Sequence, residues 1–291
     1  MNKVLKNSLL YFSGKIVQGI FGFLFILILI RIFGKDIYGE YSLVISAIVI
    51  LSSFFAGWLN QSYIRFYSEN SGNHGINGLY LKLLFFICLA VIILLSAYLF
   101  IKKFSVFFIL LTAGNFLLYS LFTFFSFECQ IKFMPKKLLL AEIIRNCCLI
   151  AILCSVFIFK EKNQVNFLLF INILSYSISI IYLKSSSISL IKTTTIFKTP
   201  FPKDELVHAL KFGLPLAFWM LFSYLLYLSD RYIIAWYHKE SLGTYTAVYD
   251  ILSKISFVAF SPVLTAFQPF IISFYNEGKR RKPTGTCGMA F

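Results

Sequence analysis

Apolar residues run along the chain in eight long stretches, about 8–30, 41–64, 79–101, 104–128, 138–159, 165–183, 206–230 and 243–271, with short polar segments between them. A helix that crosses a bilayer needs roughly 20 mostly apolar residues, and every stretch is about that long. The runs are continuous, whereas the strands of a membrane barrel alternate over about ten residues. The pattern therefore predicts an all-α fold, a polytopic integral membrane protein of about eight transmembrane helices. The first stretch exceeds a signal h-region of about 7–15 residues and no small-residue cleavage site follows it, so it reads as a span.

Composition sharpens this. Hydrophobic residues make up 59% of the 291, charged residues 13%, and phenylalanine occurs 35 times. Soluble domains average about 45–50% apolar and about 25% charged, so a water-soluble enzyme is excluded. The formal net charge of +15 would suit a nucleic-acid binder, but its distribution does not. With the N-terminus inside, the inner segments hold 16 Lys and Arg residues and the outer segments 8. That asymmetry is the positive-inside pattern with both termini cytoplasmic, so no nucleic-acid partner is expected. Three cations, Lys15, Arg145 and Lys254, fall inside spans. The six cysteines show neither disulfide nor metal-ligand spacing, and no metal or other cofactor is expected.

One local pattern occurs twice. Residues 31–42 read RIFGKDIYGEYS and residues 238–247 read HKESLGTYTA, each between apolar runs. Gly39-x-Tyr41 and Gly243-x-Tyr245 are 204 positions apart. The span after each ends in a second match, Phe66-Tyr67-Ser68-Glu69 and Phe274-Tyr275-Asn276-Glu277, 208 apart. The four-residue difference is about one helical turn, which keeps the same face. An internal repeat of six spans follows: a first bundle over 1–183, a Ser/Thr/Lys-rich cytoplasmic linker over 184–205, and the start of a second bundle, two helices, over 206–278. A polar tail, 279–291, ends the sequence.

The segments NSLLYFSGKI, RIFGKDIYGEYSL and WLNQSYIRFY, with FGLPL and LSDRYIIAWYHKESLGTYTAVYDI in the second unit, resemble the polysaccharide (O-antigen or capsule) flippases. These belong to the superfamily that includes the MATE drug antiporters. The resemblance covers about residues 1–282. It implies a bacterial inner-membrane carrier that moves an undecaprenyl-diphosphate-linked oligosaccharide between leaflets by alternating access. Such a carrier has two six-helix bundles around a central cavity, with membrane lipids and other polysaccharide-assembly membrane proteins as neighbours. The family has twelve or more spans, so the change of character at KRRKPTGTCGMAF is expected to mark a C-terminal truncation, with a non-functional fragment as one alternative and a MATE-type drug or cation antiporter as another.

Candidate contacts are the polar residues inside spans, since an ionisable side chain at the bilayer centre costs roughly 2.5–3.5 kcal/mol on insertion scales and usually faces protein or water. Lys15 and Gln18 share a face of the first span with Gly14 and Gly22. There Lys15 is either a cation for a diphosphate head group or a snorkelling lysine. In the second span Ser42, Ser46, Ser53, Gly57, Asn60 and Gln61 form a small polar stripe, suited to sugar hydroxyls or to helix packing. Arg65 ends that span, where it can set topology or grip phosphate. Glu142 and Arg145 lie three apart, and Asp250 and Lys254 four apart, each a possible self-neutralising pair. Lys15, Gln18, Asn60, Gln61, Arg65, Arg145 and Lys254 are the expected substrate contacts and Asp250 the expected ion-coupling residue. Asp230-Arg231 reads as an interfacial charge pair. The three isolated histidines, and the lack of any Asp-x-Asp, argue against a membrane-embedded glycan enzyme.

Overall fold

The computed structural model describes the backbone of residues 2–69, 75–132, 134–155, 164–185 and 203–281, and the side chains of 13, 14, 16–66, 78–132, 134–154, 164–185 and 206–260. The Lys15 side chain, most of the 184–205 linker, the second sequence match near Phe274 and the 279–291 tail lie outside the described side chains.

Among the described residues all regular structure is helical: α1 (Asn2–Phe33), α2 (Lys35–Ser52), α3 (Trp58–Glu69), α4 (Gly75–Ile101), α5 (Val106–Ile131), α6 (Pro135–Ser155), α7 (Gln164–Ser185), α8 (Lys203–Tyr237) and α9 (Lys239–Arg281). A π-helical turn over Ser53–Gly57 joins α2 to α3, so among the described residues nine helices make eight rods, one for each apolar stretch. Among the described residues, six rods contain a window long and apolar enough to cross a membrane. The remaining two, α6 and α9, carry Glu142 with Arg145 and Asp250 with Lys254. The protein is an all-α polytopic membrane protein, and its rods turn large apolar side chains such as Leu94, Phe107, Trp219 and Leu226 outward.

The α1–α2 turn depends on Gly34, whose φ of 86° lies where a Cβ is disfavoured. The two sequence repeats coincide with two helical hairpins. Helices α1 and α8 end at positions 33 and 237, and α2 and α9 begin at positions 35 and 239, each 204 apart. Residues at this turn end are polar, which suits an interface with water.

The hairpins pack on each other. Helix α9 lies along α1 and α2, and α8 runs beside the π turn and α3. Helices α6 and α7 flank α1 and α5, and α4 covers α5. Small and aromatic side chains fill the contacts. One cluster joins Leu59, Tyr63, Leu84 and Phe116 to Ala209 and Ala217. A second joins Leu29 and Tyr41 to Leu153, Leu169 and Ala247. Asn115 staples α5 to α7 by donating from Nδ2 to the Leu169 carbonyl at 2.9 Å.

Candidate functional site

Between the hairpins and helices α6 and α7 lies a cavity of about 320 Å³. Its lining is unusual for membrane depth, with Arg145, Arg231, Lys254 and Asp250 among Asn146, Asn172, Ser42, Ser46 and five tyrosines, Tyr38, Tyr41, Tyr176, Tyr224 and Tyr227. Each charge is set by its helix. Helix α6 presents Glu142 and Arg145 on one face. Arg145 donates from Nη2 and Nε to Glu142 Oε2 at 3.1 and 3.3 Å and from Nη1 to the Tyr176 hydroxyl at 3.3 Å. Its guanidinium also stands 5.2 Å from the centre of the Tyr176 ring and 5.5 Å from that of Phe122, within range of a cation–π attraction.

At the turn end the cavity is roofed. Arg231 of α8 donates through Nη2 to Asp250 Oδ1 of α9 and through Nη1 to Ser42 Oγ of α2. The Tyr38 hydroxyl of α2 donates to the other oxygen of Asp250 at 2.5 Å. One carboxylate and one guanidinium therefore tie three helices together. Arg231 is 5% exposed, and its Nε is buried with no hydrogen-bond partner among the described residues. Beside this cluster the Tyr232 and Ser46 hydroxyls lie 2.8 Å apart and both reach the Leu43 carbonyl. Above it α2 and α9 cross with almost no gap, for a Cβ built on Gly39 would stand 2.9 Å from the Gly243 Cα. Outermost, Lys239 Nζ and Glu40 Oε1 pair at 3.0 Å.

Lys254 differs from both arginines. It lies across α1, where a Cβ on Gly22 would come within 3.0 Å of its Cε, and among the described residues it has no hydrogen-bond or ion-pair partner. Counting Glu142 beside Arg145, three cations face two carboxylates among the described residues, an excess of one positive charge. In a poorly solvated space that excess favours an anion. The Tyr41–Asn172 hydrogen bond, donated by Asn172 at 2.5 Å, and Asn146 Nδ2, which has no partner among the described residues, add groups able to bond hydroxyls.

Of the residues expected from the sequence, Gln18, Arg145, Lys254 and Asp250 converge on this cavity. The Asp250–Lys254 pair does not form, because Asp250 is taken by Arg231. The Asp230-Arg231 pair separates too: Arg231 turns inward, and Asp230 accepts from the Tyr245 hydroxyl at 3.0 Å. Asn60 is buried at 2% exposure away from the cavity lining, as is the half-buried Gln61. Arg65 is exposed and stacks its guanidinium 4.3 Å from the centre of the Phe212 ring. The cause is depth along the rod: its cavity-lining residues run from Tyr38 to Val49, and Asn60 lies eleven residues further on, about 16 Å along a helix that rises about 1.5 Å per residue. Arg231, Tyr38, Asn172 and Tyr176 were not anticipated. Asn172, an amide inside an apolar run, is the one with a signal in the sequence.

A protein-family model described as "Polysaccharide biosynthesis protein" matches residues 4–274. No curated protein and no solved structure matches the chain significantly.

Proposed function

Because the chain belongs to the polysaccharide biosynthesis protein family, whose model spans most of its length, we propose that it transports a lipid-linked saccharide across the membrane for surface polysaccharide assembly. The substrate is an undecaprenyl-diphosphate-linked oligosaccharide, the membrane is the bacterial inner membrane, and both termini are cytoplasmic. The observation that carries this reading is the polar cavity with one surplus positive charge, enclosed by apolar rods.

The chemistry fits an amphiphile with an anionic head. Arg145 and Arg231 offer planar guanidinium forks that match phosphate oxygens, and Lys254 adds an uncommitted ammonium. Tyrosine hydroxyls and asparagine amides provide the donors and acceptors that sugar hydroxyls require. The closed crossing at Gly39 and Gly243 is one end of an alternating-access cycle, in which the cavity opens to one side at a time. A cation antiporter of the same architecture would need an uncompensated carboxylate, whereas both acids at this site are paired with arginine.

The test is restoration of surface polysaccharide in a bacterial strain lacking its own flippase. Restoration by this chain, and its loss on Arg145→Ala with the protein still present in the membrane, is the expected result. No restoration by the unmodified chain would sink the claim that it transports on its own. Unchanged export by Arg145→Ala would remove that residue from the pathway.

A further inference from the structure

We infer that Arg231 is the residue through which an anionic head group opens the roof of the cavity, the anion and the Asp250 carboxylate competing for one guanidinium. The inference rests on the transport reading above and adds to it how loading is coupled to opening.

Three observations carry it. First, the cations of the cavity are not equivalent. Arg145 is held by Glu142 on its own helix, and Lys254 pairs with nothing among the described residues. Arg231 alone of the three pairs with a carboxylate on another helix, Asp250 of α9, and it also bonds Ser42 on α2, whereas Arg145 reaches a second helix only through the Tyr176 hydroxyl. Its pairing is thus both a cavity charge and a roof contact. Second, the guanidinium has capacity left: of its five N–H donors, the Nε hydrogen is buried and unused. Nε together with one terminal nitrogen is the fork that grips a phosphate through two parallel bonds. An anion entering from below can therefore engage Arg231 before Asp250 lets go. Third, a replacement partner for Asp250 is in place. Lys254 follows it by four positions on the same helix, acid first, the favourable orientation for a pair. When Arg231 turns to the anion, Lys254 neutralises Asp250, and no charge is left bare in a low-dielectric space. In the resting state α8, α9 and α2 are tied by Arg231. In the loaded state the ties within α9 and between Arg231 and the anion replace them. The roof then keeps only the hydroxyl contacts, the glycine crossing and the exposed Lys239–Glu40 pair.

The experiment measures the roof directly. Spin labels on Glu40→Cys and Lys239→Cys, in a full-length chain otherwise free of cysteine, report the distance between the outer ends of α2 and α9 by electron double resonance. The chain is held in lipid nanodiscs, and the probes are geranylgeranyl diphosphate and inorganic pyrophosphate. The expected result is a short distance without ligand and a shift of the population to longer distances on adding geranylgeranyl diphosphate. Arg231→Gln should be open before any ligand is added, with the closed-to-open ratio lowered about tenfold or more, and should not respond to it. Asp250→Asn should be partly open at rest and still respond. Arg145→Gln should weaken binding while leaving the shift at saturation intact. Thermal unfolding of each variant establishes that it is folded, and Arg231→Lys provides a conservative variant if Arg231→Gln is not. If the diphosphate binds and the distance stays short, or if Arg231→Gln closes and opens as the unmodified chain does, the coupling is overturned while the transport reading stands. If neither probe binds, the transport reading falls and takes this inference with it.

Discussion

Gly243→Ala is the most direct probe of the closed state. In a helix, glycine to alanine is ordinarily stabilising, by roughly 0.5–1 kcal/mol. Here the sign should reverse. A Cβ on Gly243 overlaps the carbonyl group of Lys35 and stands 3.0 Å from the amide nitrogen of Asp36. These are backbone atoms at the start of α2, with no rotamer to escape into. Restoring an ordinary van der Waals gap requires the two helices to part by about 1 Å. Overpacking of this kind costs typically about 1–3 kcal/mol, which lowers the closed-to-open ratio roughly 5- to 150-fold. The penalty falls on the closed state alone, so the substitution should open the roof rather than unfold the chain. The assay is the rate at which a membrane-impermeant maleimide, added to intact cells, labels Ser42→Cys beneath the crossing. Gly243→Ala should accelerate labelling several-fold, and Gly39→Ala, whose Cβ meets Gly243 Cα and N at 2.9 Å, should do the same. Unchanged labelling with a raised melting temperature would refute the reasoning, because it would mean that the helices do not close on these glycines.

Three further outcomes follow from the same geometry. Glu142→Gln leaves Arg145 buried without its carboxylate, and breaking a buried pair in this way typically costs about 3–5 kcal/mol; a lower melting temperature in detergent is expected, and an unchanged one would show that the Tyr176 and Phe122 contacts suffice. Tyr41→Phe deprives Asn172 Nδ2 of its acceptor, at about 1–3 kcal/mol for a buried unsatisfied donor. Asn172→Leu added to it should recover part of the loss, so a double-mutant cycle with no coupling would dismiss the bond. Lys254→Met removes an unpaired cation and should raise the melting temperature while lowering surface polysaccharide export, a stability–function trade; export at the unmodified level would show that the spare charge serves neither substrate nor Asp250.

Hydropathy made the eight rods legible, since a bilayer imposes one length and one composition on whatever crosses it. The repeated Gly-x-Tyr pattern located both hairpins, and charged positions inside apolar runs pointed to Arg145, Asp250 and Lys254. The remainder of the site was hidden for identifiable reasons. Arg231 follows Asp230 directly, and adjacent residues on a helix face different ways. Its partners stand 19 and 189 positions away, on other helices, where no local pattern reaches. Asn60 is in phase with the cavity face for an uninterrupted α-helix, but periodicity carries no depth, and the lining of this rod ends at Val49, short of Asn60, Gln61 and Arg65. The lining tyrosines are five among 17 in the chain, too common a residue type to single out.

The 204-position correspondence also shows what a duplicated hairpin must give up in order to close on its copy. Where two equivalent helices cross, a residue meets its own counterpart, so bulk or charge at the crossing meets itself. Gly39 against Gly243 removes the steric half of the problem. The electrostatic half is removed by divergence, for Asp250 corresponds to Ser46, Lys254 to Ile50 and Arg231 to Leu27. Both buried charges of the roof, Arg231 and Asp250, belong to one copy, and the other contributes only hydroxyls to that cluster, its Glu40 meeting Lys239 at the exposed rim. A version with both copies charged would set like charges face to face and hold itself ajar. Closure at this crossing therefore depends on the two hairpins being unlike in charge.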